Sequence, residues 1–223
     1  MNKPTLIYFS SRGRAEVIRL VLAEAAVAYH EHPIGKGTKP ADGRPTDFQE
    51  LKASGALPFE AAPVWEDADG FRLAQSAAIA SYLARSHGLY PKNGRDAALC
   101  DQALGAYDDV RGELRKVFTA APADRAAVRE ELATKALPRW MGYLDRILEA
   151  NHGGTAFIAG DAVSVADLAI WYLLELISDN GFGAAIAKYP ALVAFADRIG
   201  RRPRIAEYRA SPGRHPFAPL PTA

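Results

Sequence analysis

Thr5-Leu6-Ile7-Tyr8-Phe9, then Ser10-Ser11-Arg12-Gly13, then the run from Ala15 to Ala26, is the stretch on which the fold turns. A β-branched and aromatic run leads through a polar loop into apolar residues at helical spacing, which reads as strand, loop and helix. Val27 to Pro33 reads as a second strand, so the chain opens with a βαβ crossover, a connection that makes its two strands parallel. The Gly- and Pro-rich segment from Ile34 to Pro45 reads as a loop, and a short helix fits within Thr46 to Ser54.

Working outward, Ala62-Pro63-Val64-Trp65-Glu66 and Phe71-Arg72-Leu73-Ala74 flank an Asp-Ala-Asp-Gly turn at 67–70 and read as an antiparallel hairpin. Gln75-Ser76 then opens a helix that runs to about His87. A βαβ unit joined to ββα makes a mixed sheet with helices on its faces. Texture changes near Leu89 to Arg95, where strand and loop signals give way to Ala-rich helical periodicity, so a first domain over 1–88 and an all-helical second domain over 95–223 are expected. In the second, two long helical stretches between Asp96 and Asn151, broken at Ala121-Pro122, are expected to pack as an antiparallel pair. Ser164-Val165-Ala166-Asp167 is a shortened capping box in front of an apolar run, and Tyr189-Pro190 and Arg202-Pro203 start two further short helices.

Composition narrows the function. The chain has 223 residues, 49% hydrophobic and 24% charged, which excludes a disordered or disulfide-scaffold protein. Lys and Arg number 27 against 26 Asp and Glu, a formal charge of +1 that is too small for a partner held by neutralised phosphates, so no nucleic acid is expected. The lone Cys100 cannot form an internal disulfide, and Met1 to Thr5 lead straight into the first strand without a secretory pattern, which reads as a cytoplasmic protein. The most apolar window, Leu168 to Ile177, is too short to span a bilayer and contains Glu175, so no membrane is expected. His30 and His32 alternate on a strand without a third ligand and read as surface residues, and no metal is expected. Arg198, Arg201, Arg202, Arg204, Arg209 and Arg214 read as a solvated basic face.

Leu6-Ile7-Tyr8-Phe9, Arg12-Gly13-Arg14-Ala15-Glu16, Ala62-Pro63-Val64, Gln75 to Leu83 and Gly160 to Asp167, in this order and spacing, resemble the cytosolic glutathione S-transferases. The likeness is to the tyrosine-dependent branch, sigma-like with features of the pi and mu classes, and covers nearly the whole chain. It implies a thioredoxin-like N-terminal domain, an all-helical C-terminal domain contributing a hydrophobic substrate site, and a homodimer. Glutathione is then a co-substrate, with no tightly bound cofactor. The implied function is detoxification by conjugating the glutathione thiolate to hydrophobic electrophiles. A glutathione-dependent isomerase, a hydroperoxide reductase and a non-catalytic ligand-binding member of the same fold remain as alternatives.

The resemblance assigns roles residue by residue. Tyr8, at the end of the first strand, donates its hydroxyl to the thiolate, although an aromatic strand residue alone reads as core. A tyrosine with a pKa near 10 stays protonated at neutral pH, so it acts as a donor and not as a base. Arg14 orients the Tyr8 loop and the thiol, or is an ordinary ion pair. Gln75 and Ser76 sit at a helix start, where free amides and a hydroxyl suit the γ-glutamyl carboxylate; equally, Ser76 caps its own helix. Ala62 before Pro63, with a cis bond implied, pairs its backbone with the cysteinyl unit. Lys52 attracts the glycine carboxylate, and Phe48 stands where the family usually has a tryptophan, a ring that cannot donate a hydrogen bond. Asp101 reaches across the dimer to the α-amino group, or is a solvated charge. Phe9, Leu114 and the tail around Phe217 shape the apolar pocket.

Overall fold

The computed structural model describes residues 3–35 and 44–222. Of the expected loop from Ile34 to Pro45, positions 36–43 lie outside the described residues. The described chain forms two compact units: Met1–His87 with Glu207–Ala218, and Gly88–Ala206 with Pro219–Ala223.

The first unit is a four-stranded mixed sheet of order β2-β1-β3-β4, built from β1 (Thr5–Phe9), β2 (His30–Ile34), β3 (Val64–Glu66) and β4 (Arg72–Ala74). β1 runs parallel to β2 and antiparallel to β3, and β3 pairs antiparallel with β4, as the crossover and hairpin require. A strand covered on both faces should read as continuous apolar sequence, and Leu6 and Ile7 of β1 are both fully buried. Pro33, which has no amide to donate, sits in the edge strand β2. One face of the sheet packs Ile7, Ile34, Val64 and Ala74 against Leu51 of α2 (Phe48–Ala53) and against Ala56 and Leu57. On that edge strand His32 is buried, with its Nε2 3.0 Å from the Pro45 carbonyl, so it is not the surface residue its isolation suggests. α1 (Glu16–Glu24) and α3 (Ser76–Ser86) pack on each other.

The sequence division gives the whole tail to the helical domain, whereas its contacts place 207–218 in the first unit. The reason is a buried carboxylate: Glu16, fully buried, accepts Arg214 Nε at 2.8 Å and the Tyr208 hydroxyl at 3.1 Å. Arg214 thus belongs to no solvated basic face, and neither does Arg198 in the second unit, whose guanidinium donates to the carbonyls of Gly154 and Ala156.

The second unit is helical. Its helices are α4 (Gly94–Thr119), α5 (Arg125–Glu131), α6 (Leu137–Ala150), α7 (Val165–Ile177), α8 (Ala184–Ala187), α9 (Pro190–Gly200) and the first turn of α10 (Pro203–Ala210). The expected second long helix before Asn151 runs without a gap from α5 through a π turn into α6. A π turn over Leu132–Ala136 precedes Pro138, whose missing amide interrupts the regular ladder. After the break at Ala121-Pro122 the chain meets α4 again at α5 and at the π turn, while α4 packs most extensively on α7. That helix is apolar on nearly every side, as a helix enclosed by others must be. The capping box is present, with Ser164 and Asp167 exchanging side-chain and backbone bonds. No helix among the described residues is long and apolar enough to cross a membrane.

Candidate functional site

The strand registers gather the candidate residues. Ile7 faces Val64, and Val64 faces Ala74; carried one step further, these registers set Tyr8 beside Pro63 and Pro63 beside Gln75 at one end of the sheet. Loops at the carboxyl end of a parallel strand are where open sheets present their chemistry.

Tyr8 is 7% exposed, and its hydroxyl oxygen accepts the backbone N–H of Arg14 at 2.8 Å. A phenol that accepts at its oxygen still has its own proton to donate, so the hydroxyl is polarised and aimed without losing its donor. Gly13 makes this approach possible. Its φ is +45°, and a Cβ placed on it would stand 2.4 Å from the Tyr8 oxygen and 3.0 Å from ring carbon Cε1. Any other residue would push the phenol away, and the left-handed backbone would be strained as well. Arg14 therefore touches Tyr8 through its backbone, with its side chain exposed. Gly13 stands in the motif Arg12 to Glu16 and opens the 3-10 turn Gly13–Ala15 that leads into α1, with no role evident from sequence.

A row of contacts continues from the phenol. Phe9, 38% exposed, packs edge-on against Tyr8 with ring centroids 5.5 Å apart, and its centroid lies 5.4 Å from that of Phe48. The Lys52 ammonium lies 5.1 Å from the Phe48 ring centroid and 3.5 Å from the carboxylate of Glu60. Since Glu60 is largely exposed, this pair is weak and leaves Lys52 available to an anionic ligand. Ala62 packs against the sheet core beside Phe48, and the Ala62–Pro63 bond is cis.

At the start of α3 the N-cap position is Gln75, with φ 73° and ψ 116° and no side-chain cap. Ser76 is the first helical residue and is half-buried, so its hydroxyl does not serve as the cap that the sequence leaves open. The first-turn amides of α3 have no intrahelical partner and, with this hydroxyl, form an anion-binding end. A non-glycine residue held at positive φ is the kind of backbone strain that persists at ligand sites.

Residues 4–85 match the glutathione S-transferase N-terminal domain and residues 108–212 the glutathione S-transferase C-terminal domain. Glutathione S-transferase P 1 of Bufo bufo is 31% identical over 209 residues, covering 93% of this chain and 91% of that protein. The chain belongs to the glutathione S-transferase family. S-crystallin SL11 of Nototodarus sloanii is 30% identical, covering 93% of this chain and 96% of that one. Among solved structures, the Pi-class glutathione S-transferase of Onchocerca volvulus is similar with a TM-score of 0.79 and 26% identity, covering 93% and 92% of the two chains. The thioredoxin-like and helical organisation of the family is the one described above.

The assignments to Asp101 and Leu114 fall in the helical unit. Asp101 is exposed on α4 and accepts the Tyr90 hydroxyl at 2.6 Å, and Leu114 is 3% exposed in that unit's core. Cys100, next to Asp101, is sealed from solvent, and burial pushes its thiol up to about 11. A thiol kept protonated in this way is a poor nucleophile. Among the described residues no group of three or more His, Cys, Asp or Glu is placed to hold a metal ion.

Proposed function

We propose that this chain is a glutathione transferase of the tyrosine-dependent branch, joining the glutathione sulfur to hydrophobic electrophiles. The observation that carries the reading is the Tyr8 hydroxyl, which takes the Arg14 N–H at 2.8 Å over a glycine that leaves it room. Its proton then points to a ligand sulfur as a hydrogen-bond donor, which favours the charged form of that sulfur. Lys52, the Ala62 backbone and the Gln75-Ser76 helix start bind the peptide, Phe48 packs beside them, and Phe9 offers an apolar face to the electrophile. On the same reading the protein acts in the cytoplasm as a homodimer in detoxification, with Asp101 meeting the α-amino group of the ligand in the partner subunit.

Magnitudes limit what the hydroxyl does. Lowering a thiol pKa from about 8.5 to about 6.5 takes about 2.7 kcal/mol of preference for the thiolate. At pH 6.5 this raises the thiolate fraction about fiftyfold, while a Brønsted slope of about 0.45 makes each thiolate about eightfold less reactive, leaving about sixfold net. Holding sulfur and electrophile together supplies the larger part of the acceleration.

The Tyr8→Phe variant tests this by removing one oxygen. Conjugation of a model electrophile at pH 6.5 is expected to fall by at least about sixfold, with glutathione affinity nearly unchanged. Ultraviolet difference titration should show the bound thiol ionising at higher pH than in the unmutated protein. Unchanged turnover and an unchanged titration would remove Tyr8 from the mechanism.

A further inference from the structure

The C-terminal segment of the first unit, 207–218, holds the same loop that aims the Tyr8 hydroxyl. From one side the Arg19 guanidinium, 1% exposed, donates to the carbonyls of Ser11 at 2.8 Å and Arg12 at 3.3 Å. From the tail come contacts to Arg12: its amide donates to the Pro216 carbonyl at 3.4 Å, its Nε donates to the His215 carbonyl at 3.1 Å, and its guanidinium stands 5.8 Å from the Phe217 ring centroid. The next two residues are Gly13, which cannot carry a Cβ without striking the phenol, and Arg14, whose amide bonds it.

The tail is itself fastened to two carboxylates, Glu16 and Glu31. Arg214, with its side chain 7% exposed, meets Glu16 at 2.8 Å; the Tyr208 hydroxyl donates to the same carboxylate at 3.1 Å; and His215 Nε2 lies 3.7 Å from Glu31. Glu16 and Glu31 are also the two carboxylates that pair Arg19, at 3.6 and 2.6 Å. One network therefore ties both the tail and α1 to a four-residue loop.

We infer that residues 207–218 form a strap that positions the Tyr8 hydroxyl through the 11–14 loop, with Arg214 as the positioning residue that locks the strap and Arg12 as the residue it grips. This rests on the reading of Tyr8 as the donor to the glutathione sulfur. Arg214 touches no reacting atom. It acts by keeping the Arg14 amide, and so the phenol, in place, and a small misplacement at such a point is costly in rate.

The test is a double-mutant cycle between position 8 and the strap, using the full chain and glutathione. Arg214→Ala is expected to move the titration of bound glutathione thiol upward by about 0.5–1 pH unit and to lower kcat/KM at pH 6.5 by up to about twofold, less than the loss in Tyr8→Phe. The affinity for glutathione should stay within about twofold, since its other contacts are elsewhere. In a Tyr8→Phe background the same change should have no further effect on the titration, because the group it positions is gone. Arg214→Lys, which retains the charge on Glu16, should restore most of the titration. Should Arg214→Ala fail to fold, Phe217→Ala loosens the grip on Arg12 at a half-buried position and should move the titration in the same direction. Equal shifts with and without the Tyr8 hydroxyl, or no shift in either variant, overturn the strap. If Tyr8→Phe alone leaves the titration unmoved, the donor reading falls first and takes the strap with it.

Discussion

Glu16 at the start of α1 and Asp167 at the start of α7 are both fully buried carboxylates near helix N-termini, and they are satisfied in opposite ways. Asp167 is served by near neighbours: the Ile158 amide at 2.7 Å, the Ser164 amide at 2.7 Å and the Ser164 hydroxyl at 2.8 Å. Glu16 is served by Arg19 one turn on and by Tyr208 and Arg214, separated from it by 192 and 198 residues. The first arrangement is a local turn closing on itself, made largely of uncharged dipoles. The second is a charged clasp between distant pieces of chain. A local cap fails by unravelling the helix start it serves, whereas a clasp fails by releasing whatever it holds.

The largest expected effect follows from the local cap. Asp167→Ala leaves three donors without an acceptor in a site closed to water, and should lower unfolding free energy in urea by about 3–4 kcal/mol, with one cooperative transition. If the loss is under about 1 kcal/mol, the apolar packing of α7 and not its cap secures that unit.

Breaking the clasp should cost less and show up locally. Glu16→Gln removes the charge that pairs Arg19 and Arg214, yet Arg19 keeps Glu31 at 2.6 Å. The expected loss is about 2 kcal/mol, accompanied by faster tryptic cleavage at Arg209 and Arg214 while the helical unit stays protected. Cleavage rates unchanged from the unmutated protein would mean that the tail is held without Glu16, and the contrast between the two carboxylates would collapse.

The most gradual effect is in pH. Burial pushes the Asp167 carboxyl up to about 6, against the opposing pull of its hydrogen bonds from Ile158 and Ser164. A folded carboxyl raised above the ordinary value of about 3.9 binds its proton more tightly than the unfolded chain does. Its contribution to stability is therefore complete below about pH 4 and is lost as pH rises through about 6, a slope of at most about 1.4 kcal/mol per pH unit. Asp167→Asn should flatten urea stability between pH 4 and pH 6, and a slope left intact would assign that pH dependence to other groups.

These contrasts also explain what was legible in advance. Ser164 and Asp167 stand three residues apart, and a cap at that spacing depends only on helix geometry, so the pattern is readable. Tyr8 is placed at the end of the first strand by sequence, but only the family resemblance gives it a role, since an aromatic strand residue alone reads as core. Gly13 was visible but mute: that a side chain there would strike the phenol depends on how the loop folds back over Tyr8. The arginines of the tail looked alike in sequence, and only the folded chain separates Arg214, which pairs with Glu16, from Arg201, whose exposed side chain pairs with Asp197 one turn away.

The order of strands and helices, the change of texture near Leu89 and the helix-start signals were written into the chain itself, because hydrophobic periodicity and capping act over a few residues. The cover that a tail provides for a loop two hundred positions earlier, the acceptor for a buried arginine and the clearance above a phenol arose only on folding. Those depend on which distant groups meet once water is excluded, and no local spacing records such a meeting.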